Sequence, residues 1–172
     1  QVRSRAVGWA DRSPCQARAI VRPGSTDEVS RVLAECHASG QPVVLFGGLT
    51  GLVQGSVASE HEIALSLERM HRIESIDPVG RTMTVEAGVA VQRIQEEAEK
   101  HGLLYPVDFG ARGSAHIGGS AATNAGGNGV IRYGMTRDSV LGLEAVLADG
   151  TVIPAMNRMI KNNAAYDLKQ LF

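Results

Sequence analysis

The sequence predicts an α+β fold, and three observations carry that reading. A strand–helix–strand run fills residues 19–46, hairpins follow it in place of further helical crossovers, and two windows of clustered glycine lie among these elements. The change of character falls near Met70–Pro78 and marks the expected boundary between two lobes, about 17–72 and about 73–172. With 172 residues, 44% of them hydrophobic and 20% charged, the chain can bury about two-thirds of its unfolded surface without a disulfide or metal staple.

Ala19–Arg22 reads as a short strand stopped by Pro23-Gly24. Ser25 with Glu28 three residues on forms a capping box, and Val29, Val32, Leu33 and Cys36 make one apolar stripe at helical spacing. Gly40 ends that helix and Pro42 keeps it from resuming. Val43–Phe46, apolar throughout, predicts a buried strand, so strand, helix and strand form a right-handed βαβ unit. Ile63–Leu67 is a further strand. Ile73–Ile76 and Thr82–Ala87 flank Asp77-Pro78-Val79-Gly80 and predict a hairpin. Val91–His101 is a second helix, with Val91, Ile94 and Ala98 on one face and Gly102 as its stop. Asp149-Gly150, between Val140–Leu147 and Thr151–Pro154, predicts another hairpin. From Gly110 to Gly134 neither period appears, and so long a loop in a compact domain is usually functional.

Composition removes several function classes. Seventeen Lys+Arg balance 18 Asp+Glu, and no basic run offers a surface to nucleic acid or anionic lipid. No apolar stretch approaches a membrane span, and Gln1–Asp11 lacks the apolar centre of a signal peptide. Cys15 and Cys36 have no metal-ligand spacing and read as unpaired thiols, so a cytoplasmic location is expected. The five histidines show no i, i+4 pair and no H-x-H. His37 and His101 fall in last helical turns, where an imidazole suits the helix dipole. A G-x-S-x-G nucleophile elbow is absent.

Twelve of the 20 glycines fall in two windows, at 47, 48, 51 and 55 and at 110, 113, 118, 119, 126, 127, 129 and 134. Such clusters let backbone approach backbone, or a ligand, with no Cβ between. The first window, Phe46-Gly47-Gly48-Leu49-Thr50-Gly51-Leu52, follows a strand and contains no Lys or Arg. Its amides can form a nest for an anion such as a pyrophosphate, with Thr50 adding a hydroxyl. No Gly-Lys dipeptide exists, which excludes a P-loop, and Gly127-Asn128-Gly129 lacks the third Rossmann glycine. The second window alternates glycine with hydroxyls and an amide, a composition suited to a wall against a large, polar-edged ligand such as a flavin. Asp108 either serves the site or caps a turn; Arg112 either meets a phosphate or stands exposed. His116 adjoins the wall, where a supporting hydrogen bond is expected of it.

Several motifs in order then carry a family resemblance. They are Gly47-Gly48-Leu49-Thr50-Gly51-Leu52-Val53, Leu67-Glu68-Arg69-Met70, Val85-Glu86-Ala87-Gly88-Val89, Ile117-Gly118-Gly119 with Ala122-Thr123-Asn124-Ala125-Gly126-Gly127, Arg132-Tyr133-Gly134, Val146-Leu147-Ala148-Asp149-Gly150 and Tyr166-Asp167-Leu168. From about Val21 to the last residue, the chain resembles the PCMH-type FAD-binding domain of the vanillyl-alcohol oxidase, or FAD-linked oxidase, family. Within it, the resemblance is to the D-2-hydroxyglutarate, D-lactate and glycolate dehydrogenase branch.

The resemblance implies two α/β lobes with FAD between them. It implies cofactor contacts at Gly47, Gly48, Leu49, Thr50, Gly51, Leu52, Asp108, Gly110, Ser114, Ile117, Gly118, Gly119, Thr123, Asn124 and Gly127. Members that bind flavin covalently through this loop carry histidine after Gly-Gly; Leu49 there implies noncovalent FAD. Gln54 stands where many relatives have glycine, which narrows the loop, and Ala164-Ala165 replaces a Thr-Gly. The implied activity is oxidation of a D-2-hydroxyacid by hydride transfer to FAD, with electrons leaving to an unidentified acceptor. Catalytic and metal-ligating residues are expected in a C-terminal substrate domain outside these 172 residues, so this part alone is expected to be inactive. An enolpyruvyl-sugar-nucleotide reductase-like enzyme and a flavin-free binding module are the alternatives. Gly48→Val is expected to weaken FAD binding far more than it lowers the melting temperature of the apo domain.

Overall fold

The computed structural model describes residues 2–9 and 11–172. Its first sheet contains three parallel strands, β1 (Ala19–Val21), β2 (Val43–Phe46) and β3 (Ile63–Ser66), in the order β1-β3-β2. Both outer strands therefore pair with β3, at Ala19–Ile63 and Val43–Ile63. The helix α1 (Thr26–Ser39) connects the two edges, and β3 arrives later in the chain to fill the space between them.

Strand alternation divides the core between the two faces of this sheet. Ala64 and Phe46 face one cluster, with Val7, Cys15, Ala17 and Ala58. Leu65 faces the other, with Val29 of α1 and Met70, and Val32, Leu33 and Val43 close around it. Phe46 and Leu65 are each at most 1% exposed, worth about 2 kcal/mol apiece as burial. The expectation of a wholly buried β2 needs correction, because Leu45 is 62% exposed. It shares a face with Val43, but on an edge strand that α1 does not cover at this point.

Ser25 caps α1 by accepting from the Glu28 amide at 3.2 Å, as expected. The reciprocal arm is displaced by one residue: Glu28 accepts from Gly24 at 2.7 Å. Gly40 closes the helix in the left-handed region at φ 65°. The hairpin β4 (Ile73–Asp77) and β5 (Thr82–Val85) turns where expected, with Asp77 Oδ1 accepting from Val79 and Gly80. The helix α2 (Val91–Lys100) buries Val91, Ile94 and Ala98, the predicted stripe.

The stretch without a period contains two short helices, α3 (Ile117–Ala122) and α4 (Val130–Tyr133). Elements this short cannot display a repeat, so periodicity misses them. The last hairpin, β6 (Leu143–Val146) and β7 (Val152–Ala155), turns through Gly150 at φ 87°. It returns to the first sheet's helix: Ser30 Oγ donates to the Gly150 carbonyl at 2.6 Å, and Val146 packs beside Val29, Leu65 and Met70. Among the described residues no helix is long and apolar enough to cross a membrane.

Candidate functional site

The two glycine windows meet. A Cβ on Gly48 would overlap the Ser114 carbonyl oxygen and stand 2.8 Å from Ala115 Cα, so only glycine allows this approach. Gly47 lies beside His116 at ordinary van der Waals distance. The segment following β2 and the segment entering α3 thus form adjoining walls.

The second wall is seated on the end of β5. Ile117 donates to the Val89 carbonyl and Gly118 to the Ala87 carbonyl, both at 2.8 Å, while Val91 donates to Ala115 at 3.0 Å. A Cβ on Gly118 would stand 2.7 Å from the Ala87 Cβ. Gly88, in turn, abuts the Leu67 and Met70 carbonyls and donates to Met70 at 2.8 Å. Two of the quoted motifs therefore act as a backbone platform beneath α3, a role that spacing alone does not reveal. Their signal is the glycine at 88.

The remaining glycines of the predicted site behave differently. A Cβ at Gly51, Gly110 or Gly119 would meet nothing within 4 Å. Gly119 is the telling case, because glycine inside a helix is unfavourable by about 1 kcal/mol against alanine and no packing requires it here. On the first loop, no backbone N–H from Gly47 through Ser56 donates to another described residue. Leu49 and Gln54 hold positive φ, at 55° and 60°, and Asn124 does so at 48°. Each costs about 1 kcal/mol in a non-glycine residue. Gln54 is exposed, and its departure from glycine puts a side chain on a left-handed backbone.

Other predicted residues shape the surroundings. Leu49 packs its side chain against the cluster around Val7 and Phe46. Asp108 pairs with Arg112, and its carbonyl accepts from Asn128 at 2.8 Å. A Cβ on Gly127 would run into that same carbonyl, so Gly127 serves the approach of two chain segments. Thr123 Oγ1 donates to the Gly119 carbonyl at 2.8 Å, and Asn124 Oδ1 accepts from the Arg137 amide at 2.9 Å. Both side chains are engaged in closing the turn after α3. Ser114 and Thr50 carry hydroxyls with no protein partner among the described residues, and Leu52 is 68% exposed. The expected outcome for Gly48→Val is corrected by this geometry: the substitution strikes the apo fold itself.

Electrostatics mark one side of the site. His116 Nδ1 is buried without a partner among the described residues, and desolvation pushes its pKa below the ordinary value, with Glu68 opposing and His71 adding to the shift. Glu68 receives Arg5 at 2.6 and 2.8 Å and Arg22 at 3.1 Å, which holds its carboxyl down at about 2. Tyr105 Oη is also buried and unpartnered among the described residues, and burial raises its pKa.

Comparison with known proteins decides the family. The family described as FAD binding domain matches residues 17–155. The chain belongs to that family. This FAD binding domain is 45% identical over 163 residues to D-2-hydroxyglutarate dehydrogenase from Xanthomonas citri pv. viticola, covering 95% of this chain and 34% of that protein. It is 43% identical over 166 residues to the mitochondrial D-2-hydroxyglutarate dehydrogenase of Bos taurus, covering 96% and 30%. Among solved structures, 6-hydroxy-D-nicotine oxidase from Arthrobacter nicotinovorans superposes with a TM-score of 0.70 at 26% identity, over 80% of this chain and 30% of the other. An alkyldihydroxyacetonephosphate synthase shares the fold, with a TM-score of 0.74 at 21% identity over 88% and 30%. The chain spans about a third of the length of these curated relatives. The expected α+β FAD-binding fold is thereby borne out, and its cofactor is FAD. The bare glycines at 47, 51 and 119 fit such a group, since side chains there would fill the space along the walls.

Proposed function

We propose that this domain is the FAD-binding part of a dehydrogenase that oxidises a D-2-hydroxyacid, D-2-hydroxyglutarate before D-lactate or glycolate. The observation that carries it is the pair of apposed walls. Gly48 brings them together, while Gly51 and Gly119 stay bare with no packing reason to be so. Identity of 43–45% to two D-2-hydroxyglutarate dehydrogenases over nearly the whole chain supports the substrate class.

On this reading Gly47, Thr50, Gly51, Ser114 and Gly119 line the cofactor, and the free amides of the first loop donate to its pyrophosphate. Gly48, Gly118 and Gly127 set the spacing of the walls; Asp108, Thr123 and Asn124 fix the turns behind them. Ile117 anchors α3 through its amide. When bound, FAD supplies the two-electron acceptor for a hydride from the substrate's C2. The chain's own residues bind and orient it. Leu49 offers no nucleophile and turns its side chain into the core, which supports noncovalent attachment. The division into lobes near Met70–Pro78 belongs to the same reading, with the walls contributed from either side of it. Buried free thiols at Cys15 and Cys36 suit a reducing compartment, whether the cytoplasm or the mitochondrion that the bovine relative's name indicates.

Titrating the intact protein with FAD while following flavin fluorescence tests the binding. Turnover of D-2-hydroxyglutarate, D-lactate and glycolate with a dye acceptor tests the substrate order, D-2-hydroxyglutarate being expected to show the highest kcat/KM. A protein that takes up no flavin at any concentration defeats the proposal.

A further inference from the structure

The first loop is held largely from outside itself. Among the described residues no amide from Gly47 to Ser56 finds an acceptor, so the loop depends on what its carbonyls and side chains find elsewhere. Much of that comes from the N-terminal segment, residues 2–9 and 11–16, which lies outside the region matched to the family. Trp9 donates its amide to the Leu49 carbonyl at 3.0 Å, and Ser56 Oγ donates to the Val7 carbonyl at 2.7 Å. Gly8 lies between these two bonding residues in the chain, and a Cβ there would meet the Leu49 carbonyl oxygen and Ser56 Oγ at 3.7 and 3.8 Å. The segment doubles back on itself through Val7–Ser13 and Cys15–Arg5 hydrogen bonds and buries Val7 and Cys15 against Phe46 and Ala58. Arg5 then clamps its start to Glu68 with two hydrogen bonds.

The residue so gripped is one that needs gripping. Leu49 sits in the left-handed region, and a strained conformation of that kind persists only where its surroundings over-determine it. We propose that the N-terminal segment is a strap that positions the cofactor loop, with Arg5 and Ser56 as its positioning residues. The proposal rests on the reading of this loop as an FAD contact. The strap presents the amides of the loop in one arrangement, so that ordering them is not left to the moment of binding.

The test compares Ser56→Ala and Arg5→Ala with Ser56→Thr, which keeps the hydroxyl, and with Arg18→Ala, an exposed control just before β1 whose side chain reaches Gln41. Amide exchange in the apo protein is measured at Trp9 and Val57, which close the strap and the loop end, and FAD affinity is measured by flavin fluorescence. Ser56→Ala and Arg5→Ala are expected to speed exchange at those amides and to raise the FAD Kd about fivefold, the scale of one lost hydrogen bond. Ser56→Thr restores both and Arg18→Ala changes neither. Movement of only one measurement, or a general rise in exchange across α1 and β3, overturns the strap. A wild-type protein that takes up no FAD instead defeats the cofactor reading itself, before any variant is made.

Discussion

The two glycine windows look alike in sequence and differ in what their glycines do. In the first, Gly48 is pressed against backbone, while Gly51 and Gly55 face open space. In the second, Gly118, Gly126, Gly127 and Gly134 all have close neighbours, and Gly110 and Gly119 have none. A missing Cβ can thus answer two separate demands, close approach of the chain to itself and room left for something else. Only the second demand is removed when no ligand is bound.

Substitutions can break this comparison most sharply at its crowded end. Gly48→Val forces a branched Cβ into the Ser114 carbonyl, and a clash of this kind should destabilise by about 4 kcal/mol, lowering Tm by about 10 °C. Calorimetry of the apo protein checks it; an unchanged Tm would mean that the walls do not touch. Gly119→Ala is the opposite case. It should raise Tm by about 3 °C, since alanine favours the helix, while weakening FAD binding at least about tenfold. A variant that gains stability and keeps its FAD affinity would remove Gly119 from the site.

Acid should separate the two titratable neighbours of the walls. His116 has its folded pKa depressed, so its neutral form is favoured by the fold and that contribution is complete above pH about 6.5 and lost as pH falls below it. Glu68, depressed to about 2, contributes fully above its ordinary value of 4.5 and loses that contribution only between there and about 2. A stability curve against pH should therefore decline in two stages, and His116→Asn should abolish the first while sparing the second. The smallest effect is expected at Gln54. Gln54→Gly relieves a left-handed residue on an exposed turn and should stabilise by about 0.5 kcal/mol, readable as a small rise in denaturation midpoint.

Much of the architecture was legible because it obeys short-range rules. Ser25 and Gly40 bracket α1, Asp77 builds its turn from its own carboxylate, and the α2 stripe runs for about two turns. Strand order was not legible. Val43–Phe46 carries no mark to say that Ile63–Ser66 will enter between it and Ala19–Val21, nor that Leu45 will face water. The two glycine windows were legible through composition, but composition could not divide Gly48 from Gly51, because that depends on a neighbour about sixty residues away, at Ser114. The contribution of Trp9 and Val7 to the first loop had no sequence signal at all: a main-chain amide and a main-chain carbonyl look the same in every residue.

The contact between the last hairpin and α1 has a consequence for biogenesis. Val146 and Gly150 complete the environment of Val29 and Ser30, residues that leave the ribosome more than a hundred codons earlier. Leu65 and Met70 cover most of that side early, but at ordinary elongation rates the part completed by this hairpin waits on the order of ten seconds. Nascent chains whose β6–β7 hairpin is still inside the ribosomal exit tunnel should therefore be cut more readily within α1 by protease than those long enough to expose it.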